Sequence, residues 1–181
     1  MKKLLILPIV LILFLYSESV LSQPKVGDIV HALTKLKIIN NDFPDLENKF
    51  VFVDFWATYC IPEVRSLEHL NKLAERFKNE VVFLAITDEN EEHVRGFLQN
   101  QQWNNIFFGL DEEHVYFKDF STKDIPVYYL ISPDKIILST GVSDGLADYK
   151  LDSIVNKVDS LRQIKTSELI FHQKYIEALK H

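Results

Sequence analysis

Residues 50–63, Phe50-Val51-Phe52-Val53-Asp54-Phe55-Trp56-Ala57-Thr58-Tyr59-Cys60-Ile61-Pro62-Glu63, decide how the chain is read. The first seven form a near-continuous run of aromatic and β-branched residues around one acid, the pattern of a strand buried on both faces. From Pro62 the period changes: Val64, Leu67, Leu70, Leu73, Ala74 and Phe77 share one helical face, which predicts a helix over residues 62–77. A proline near the start suits its first turn. A buried strand therefore runs into a helix, and the only cysteine of the 181 residues sits at the junction. A helix start favours a thiolate there, because the peptide dipoles point their positive end at it.

The flanking chain extends the pattern. Residues 81–87, VVFLAIT, form a second buried strand. Asp88-Glu89-Asn90 then caps a helix over residues 91–101 that turns Val94, Phe97 and Leu98 inward. Residues 106–110 are a third candidate strand, and residues 112–120 a short helix or irregular piece. Residues 127–131 and 135–140 flank Ser132-Pro133-Asp134 as a hairpin. Residues 149–161 are amphipathic through Leu151, Ile154, Val155, Val158 and Leu161, and residues 168–180 form one more candidate helix. Upstream, residues 23–28 are an extended lead-in with Pro24 and Gly27, residues 34–39 a weak strand, and Asn40-Asn41-Asp42 a turn. The order predicts an α/β fold of three layers, with a central mixed sheet and helices on both faces.

The N-terminus predicts export. Lys2 and Lys3 precede an apolar run over residues 4–16, and Val20-Leu21-Ser22 stands before a plausible cut at Gln23. The run is short of the roughly 20 residues of a membrane-spanning helix. An uncleaved N-terminal anchor is the alternative, and Pro8 counts against it. No cysteine follows the run, which argues against a lipid anchor. The expected division is a signal peptide over 1–22, one domain over 23–165 and a helical extension over 166–181, in a periplasm-like space. Removing the leader takes the net charge from −6 to −7. With no block of basic residues, a nucleic-acid partner is excluded. A single cysteine also excludes an intrachain disulfide. In a compartment that permits disulfides such a thiol is buried and inert, bound to a partner, or reactive.

The segment VFVDFWATYCIPE resembles the active-site segment of the thioredoxin superfamily. The lead-in Pro24-Lys25-Val26-Gly27-Asp28, and the long insertion between the second strand and the hairpin, resemble the exported TlpA/ResA-type thiol–disulfide proteins. Those carry FWATWC-x-P-C, where this chain carries FWATYC-x-P-E. The likeness reaches to about Leu161. It implies Cys60 as the attacking thiol, although a small buried hydrophobe is the other reading of a free cysteine. Asp54 would be the buried acid that relays protons, and Pro62 the proline that tunes the site. Pro126 would be the family's cis-proline, facing the cysteine, with Ile125 offering backbone groups to an extended peptide. Trp56, Tyr59, Pro62 and Ile125 are the expected substrate-contacting set. The implied partners are protein thiols or disulfides, or an extended peptide, and no cofactor is expected.

Glu63 departs from the family, because it stands where the second cysteine releases the mixed disulfide. No other thiol in the chain can do so, and the two-electron cycle cannot close within one molecule. An ionised Glu63 opposes a thiolate at Cys60. If Asp54 and Glu63 approach each other they share a proton, and a protonated Glu63 supports the thiolate instead. Two readings stay open: a monothiol exchanger resolved by an external thiol, and a redox-inactive module that binds extended peptides. Other chemistries fail on spacing. A peroxiredoxin thiol has Thr or Ser three residues before it, and here that residue is Ala57. A copper-delivery relative has a second cysteine four residues on, and here that residue is Val64. The histidines at 31, 69, 93, 114, 172 and 181 show no close metal-ligand spacing, and no metal is expected.

Overall fold

The computed structural model describes residues 22–31, 33, 34, 36–122, 124–143 and 148–178. The side chains at 62, 63, 148, 149, 172 and 175–178 lie outside that description, as do residues 1–21, which hold most of the expected signal peptide over 1–22. In chain order the elements are β1 (Lys37–Ile38), β2 (Phe50–Phe55), α1 (Ile61–Arg76), β3 (Val81–Thr87), α2 (Glu91–Leu98), β4 (Phe107–Leu110), α3 (Val115–Asp119), β5 (Val127–Ile131), β6 (Ile137–Gly141) and α4 (Asp148–Ala178).

One six-stranded sheet has the order β1-β4-β3-β2-β5-β6. The central strands β2, β3 and β4 are parallel, and β1, β5 and β6 run antiparallel to their neighbours. Every residue of β2 and β3 is buried, so the apolar runs sit where both faces are covered. One face of β2 presents Phe50 and Phe52 to Leu67, Leu70 and Leu73 of α1, Val94 of α2, and Leu151 and Val155 of α4. Phe52 stacks between Phe83 and Tyr128, at 5.1 and 5.0 Å between ring centroids. The other face presents Val51, Val53 and Phe55 to Tyr116 of α3, Phe120, and the lead-in residues Val30, Leu33 and Leu36. The fold is α/β and three-layered, as the alternation predicts. An irregular lead-in carries much of the second face. It is tied to the hairpin by Gly27 N–H to Ile137 O (2.8 Å) and Val30 N–H to Lys135 O (2.9 Å).

Two predicted elements differ. The weak strand over 34–39 shrinks to Lys37–Ile38. Beyond it the side chain of Asn40 takes over the pairing, donating to Ile106 O (2.8 Å) and accepting from Phe108 N–H (2.9 Å). The two predicted C-terminal helices are one, α4, over Asp148–Ala178. At the expected break, Thr166 and Ser167 turn their hydroxyls back onto Arg162 O (2.9 Å) and Ile164 O (2.7 Å). No glycine or proline interrupts the segment, and hydroxyl side chains satisfied this way are tolerated within a helix. Among the described residues, no helix is long and apolar enough to cross a membrane.

Candidate active site

The C-terminal end of β2 and the start of α1 define the site. Backbone pairing of β2 ends with Trp56 N–H to Ile86 O at 3.0 Å, after which the chain leaves the sheet. A tight turn over residues 57–60 follows, closed by Cys60 N–H to Ala57 O at 3.0 Å. Cys60 is the N-cap of α1, and its carbonyl accepts from Val64 N–H at 3.1 Å. The thiol is thus set beside the open end of a helix that includes Pro62 in its first turn. Cys60 is half-buried and free. Its neighbours Tyr59 and Ile61 are 73% and 66% exposed. Residue 63 lies in the first turn of α1, one turn beyond Cys60.

Asp54 lies at the same end of the sheet. It alternates with Phe52 and so faces the layer of α1, whose first turn returns over the end of β2. Asp54 is buried and accepts a 2.5 Å hydrogen bond from Ser143 Oγ, itself buried. Directly opposite Asp54 in the sheet is Tyr128, whose hydroxyl meets Ser139 Oγ at 3.0 Å and Lys150 Nζ at 3.2 Å. Gly141, opposite Tyr128 on β6, leaves room for the ring, since a Cβ there would stand 3.3 Å from Tyr128 Cε1.

Pro126 and Ile125 come from the segment before β5, and the Ile125–Pro126 peptide is cis. The last β2–β5 pair is Phe55 with Val127. Residues 57–60 leave the sheet, and residues 125–126 enter it, at the same end of the neighbouring strands β2 and β5. The topology thus gathers Asp54, Cys60, Ile125, Pro126 and the first turn of α1. Trp56 is the exception and corrects the expected substrate-contacting set. It is 0% exposed, packed against Phe97 and Phe108 at 5.8 and 5.5 Å. Its side chain falls on the same face as Phe52, so it supports the turn from inside and offers no exposed surface beside the thiol.

A further cluster was not legible in the motif. The Glu89 carboxylate accepts from Thr58 N–H at 2.6 Å and from Thr58 Oγ1 at 2.8 Å. Thr87 Oγ1 reaches Glu89 Oε2 at 3.3 Å and accepts from the Glu89 N–H at 3.3 Å. His93 Nε2 lies 2.9 Å from Thr58 Oγ1. The single hydroxyl proton of Thr58 goes to the carboxylate, so the oxygen accepts from His93 Nε2–H. By sequence Glu89 belongs to a helix cap. In the fold the cap of α2 is Asn90, which accepts from Glu92 N–H at 2.9 Å, and Glu89 is left to turn toward the cysteine loop. The available signal was topological: β2 and β3 are parallel neighbours, so residues just past their ends lie side by side.

Charge clusters also occur away from the site. The hydrogen bonds that Lys37 donates to Glu91 and then to Glu112 raise its pKa above the ordinary value, and those that Glu91 accepts from Lys37 and then Arg95 lower that of Glu91. The Lys37–Glu91 pair ties the β1 edge to α2, and the Arg95–Glu91 pair lies within α2. Among the described residues, no group of three or more His, Cys, Asp or Glu is placed to hold a metal.

The thioredoxin-like family profile matches residues 48–137 of the chain. The thiol-disulfide oxidoreductase ResA of Bacillus cereus (strain ZK / E33L) is 29% identical over 120 residues, 65% of this chain and 68% of that protein. Among solved structures, StoA from Bacillus subtilis superposes with a TM-score of 0.54 at 17% identity, over 66% of this chain and 90% of StoA. The exposed lipoprotein thioredoxin Etrx1 of Streptococcus pneumoniae strain TIGR4 superposes with a TM-score of 0.53 at 16% identity, over 60% of this chain and 85% of Etrx1.

Proposed function

Because the chain belongs to the thioredoxin superfamily, in its ResA/TlpA-type thiol–disulfide oxidoreductase branch, we propose that it exchanges disulfides through one thiol, Cys60. The observation that carries this reading is the place of Cys60: half-buried, at the N-cap of α1, with a carboxylic residue one turn on where a resolving thiol would stand. The Cys60 thiolate attacks one sulfur of a substrate disulfide. A Cys60–substrate disulfide forms, and the other substrate sulfur leaves as a thiolate. A second thiolate, from the substrate or a small external thiol, then attacks the mixed disulfide and frees Cys60. Each step breaks one S–S bond and makes one, so reshuffling needs no cofactor and no net oxidant.

In this reading Asp54 handles the proton of the thiol, and Pro126 with Ile125 presents backbone to an extended substrate strand. Tyr59 and Pro62 flank the reacting sulfur, and Glu63 sets the charge beside it. The substrates are protein thiols and disulfides. The leader predicts export to a periplasm-like space, as a free domain after cleavage near Gln23 or held by an uncleaved anchor. Residues 23–165 would form the working domain and residues 166–181 an extension.

The test compares wild type with Cys60→Ser in scrambled-substrate isomerisation and in capture of oxidised glutathione, read as a mass adduct. Exchange predicts an adduct on Cys60 and loss of isomerisation in the serine variant. Equal isomerisation by both proteins would leave the second reading, a redox-inactive peptide-binding module. The exposed side chains of Tyr59 and Ile61 favour that alternative, since they offer docking surface whether or not the thiol reacts.

A further inference from the structure

We propose that Glu89 is the positioning residue of the Cys60 turn, holding residues 57–60 in the shape that presents the thiol to a disulfide. The proposal rests on the exchange reading of Cys60. Past Trp56 the backbone has left the ladder, and within the turn the bond from Cys60 N–H to Ala57 O is purely local. The turn is anchored to a second element by the two bonds from Thr58 to the Glu89 carboxylate, at 2.6 and 2.8 Å. Glu89 thus continues by side chain the pairing between β2 and β3 that the backbones give up.

Three features make the anchor firm. The Glu89 side chain is only 14% exposed, so water competes poorly for its oxygens. The carboxylate is itself held by Thr87, which is buried. It also stands just before the N-cap of α2, where the helix dipole favours negative charge. His93 closes the cluster from the solvent side by donating to Thr58 Oγ1 at 2.9 Å. Disulfide exchange requires the thiolate to approach along the S–S axis. Alkylation of a thiol by a small reagent sets a looser demand. An anchor that fixes direction should therefore matter more for the first than for the second.

The experiment uses the mature chain as wild type, Glu89→Ala and Glu89→Gln. Rates of mixed-disulfide formation with oxidised glutathione and with a disulfide-bonded peptide are compared with rates of iodoacetamide alkylation. Exchange of the Thr58 amide hydrogen is followed by NMR. Glu89→Ala should slow mixed-disulfide formation about tenfold or more while alkylation changes little. The Thr58 amide should exchange about tenfold faster or more, as expected for a lost bond to a charged acceptor. Glu89→Gln, which keeps an acceptor oxygen, should recover part of both. If Glu89→Ala does not fold, Glu89→Gln and Thr58→Val carry the same comparison, with an intermediate loss expected of each. Wild-type exchange rates in folded variants would overturn the positioning role and leave Cys60 exchange standing. A wild type that forms no mixed disulfide would overturn the exchange reading, and this proposal with it.

Discussion

Ser143 donates its hydroxyl to Oδ1 of Asp54 at 2.5 Å, and both side chains are buried. An acid inside an apolar strand is costly unless a partner replaces its water. Here a partner comes from just after β6, 89 residues away in sequence. The bond therefore links the central strand to the segment that leads into α4. Ser143→Ala removes the donor and leaves the acid in place, which should cost about 1–3 kcal/mol of stability. Urea unfolding of the variant checks this. A loss below about 0.5 kcal/mol, the range of ordinary surface changes, would mean that Asp54 does not depend on Ser143.

Trp56 and Tyr59 are three residues apart and should behave as opposites. Trp56→Ala empties a fully buried site between Phe97 and Phe108, at an expected cost of about 3–5 kcal/mol. Tyr59→Ala trims an exposed ring and should leave stability within about 0.5 kcal/mol. It should instead raise KM for a peptide disulfide while Cys60 alkylation stays unchanged. Unfolding curves and exchange kinetics on the two variants separate the roles. A strongly destabilised Tyr59→Ala would contradict the placement of that ring.

The layers of the fold were legible because their signal is periodic. The run over residues 50–56 and the helical face from Val64 to Phe77 appear in the structure nearly as read. Cys60 was legible because one thiol at a strand–helix junction stands out in any sequence. The bonds from Thr58 to Glu89 and from Ser143 to Asp54 were not, because each joins polar side chains from separate elements and leaves no periodic trace. Trp56 was misplaced for a related reason. Its motif implied a surface neighbour of the thiol, whereas strand alternation puts it with Phe52 against the helices.

Tyr129 supplies a pH dependence. It is buried on β5 beside Phe55 and Phe120, and burial raises its pKa above 10.0, with a smaller opposing effect from its hydrogen bond to Thr140. Burial penalises the ionised form, so the unfolded chain releases this proton first. The stabilisation is complete below the ordinary value near 10 and is lost as pH rises through the higher folded-state value. Tyr129→Phe should therefore lose less stability than wild type between about pH 8 and about pH 11. Urea midpoints of both proteins across that interval give the comparison, and parallel curves would count against the assignment.

The two halves of α4 should differ sharply. Leu151 and Val155 are buried in the core, with Ile154 and Val158 packed against it. Leu161, Ile164, Leu169, Ile170 and Phe171 are all exposed. The Arg162–Asp134 contact at 3.6 Å is an exposed ion pair of little weight. Ending the chain after Arg162 should change stability by less than about 1 kcal/mol, whereas Leu151→Ala should cost about 2–5 kcal/mol. Amide exchange in the full chain should be fast beyond Arg162, because an unsupported helical end frays. Slow exchange there would show that the segment is covered in solution.

The sharpest consequence concerns the residue one turn beyond Cys60. In a helix, positions three apart lie about 5–6 Å from one another, within the reach of a disulfide. Glu63→Cys therefore places a second thiol where it can attack a mixed disulfide on Cys60. The substrate sulfur then leaves as a thiolate, and the two protein sulfurs become a disulfide. The substrate gains two electrons and the protein loses two, so each further turnover requires an added dithiol such as dithiothreitol. The variant should reduce insulin in that reductant at least about tenfold faster than wild type, because release becomes intramolecular. Mass spectrometry should show an internal disulfide that a Cys60→Ser/Glu63→Cys double variant cannot form. If Glu63→Cys reduces insulin no faster than wild type, the turn over residues 57–60 does not present Cys60 to the first turn of α1 as the exchange mechanism requires.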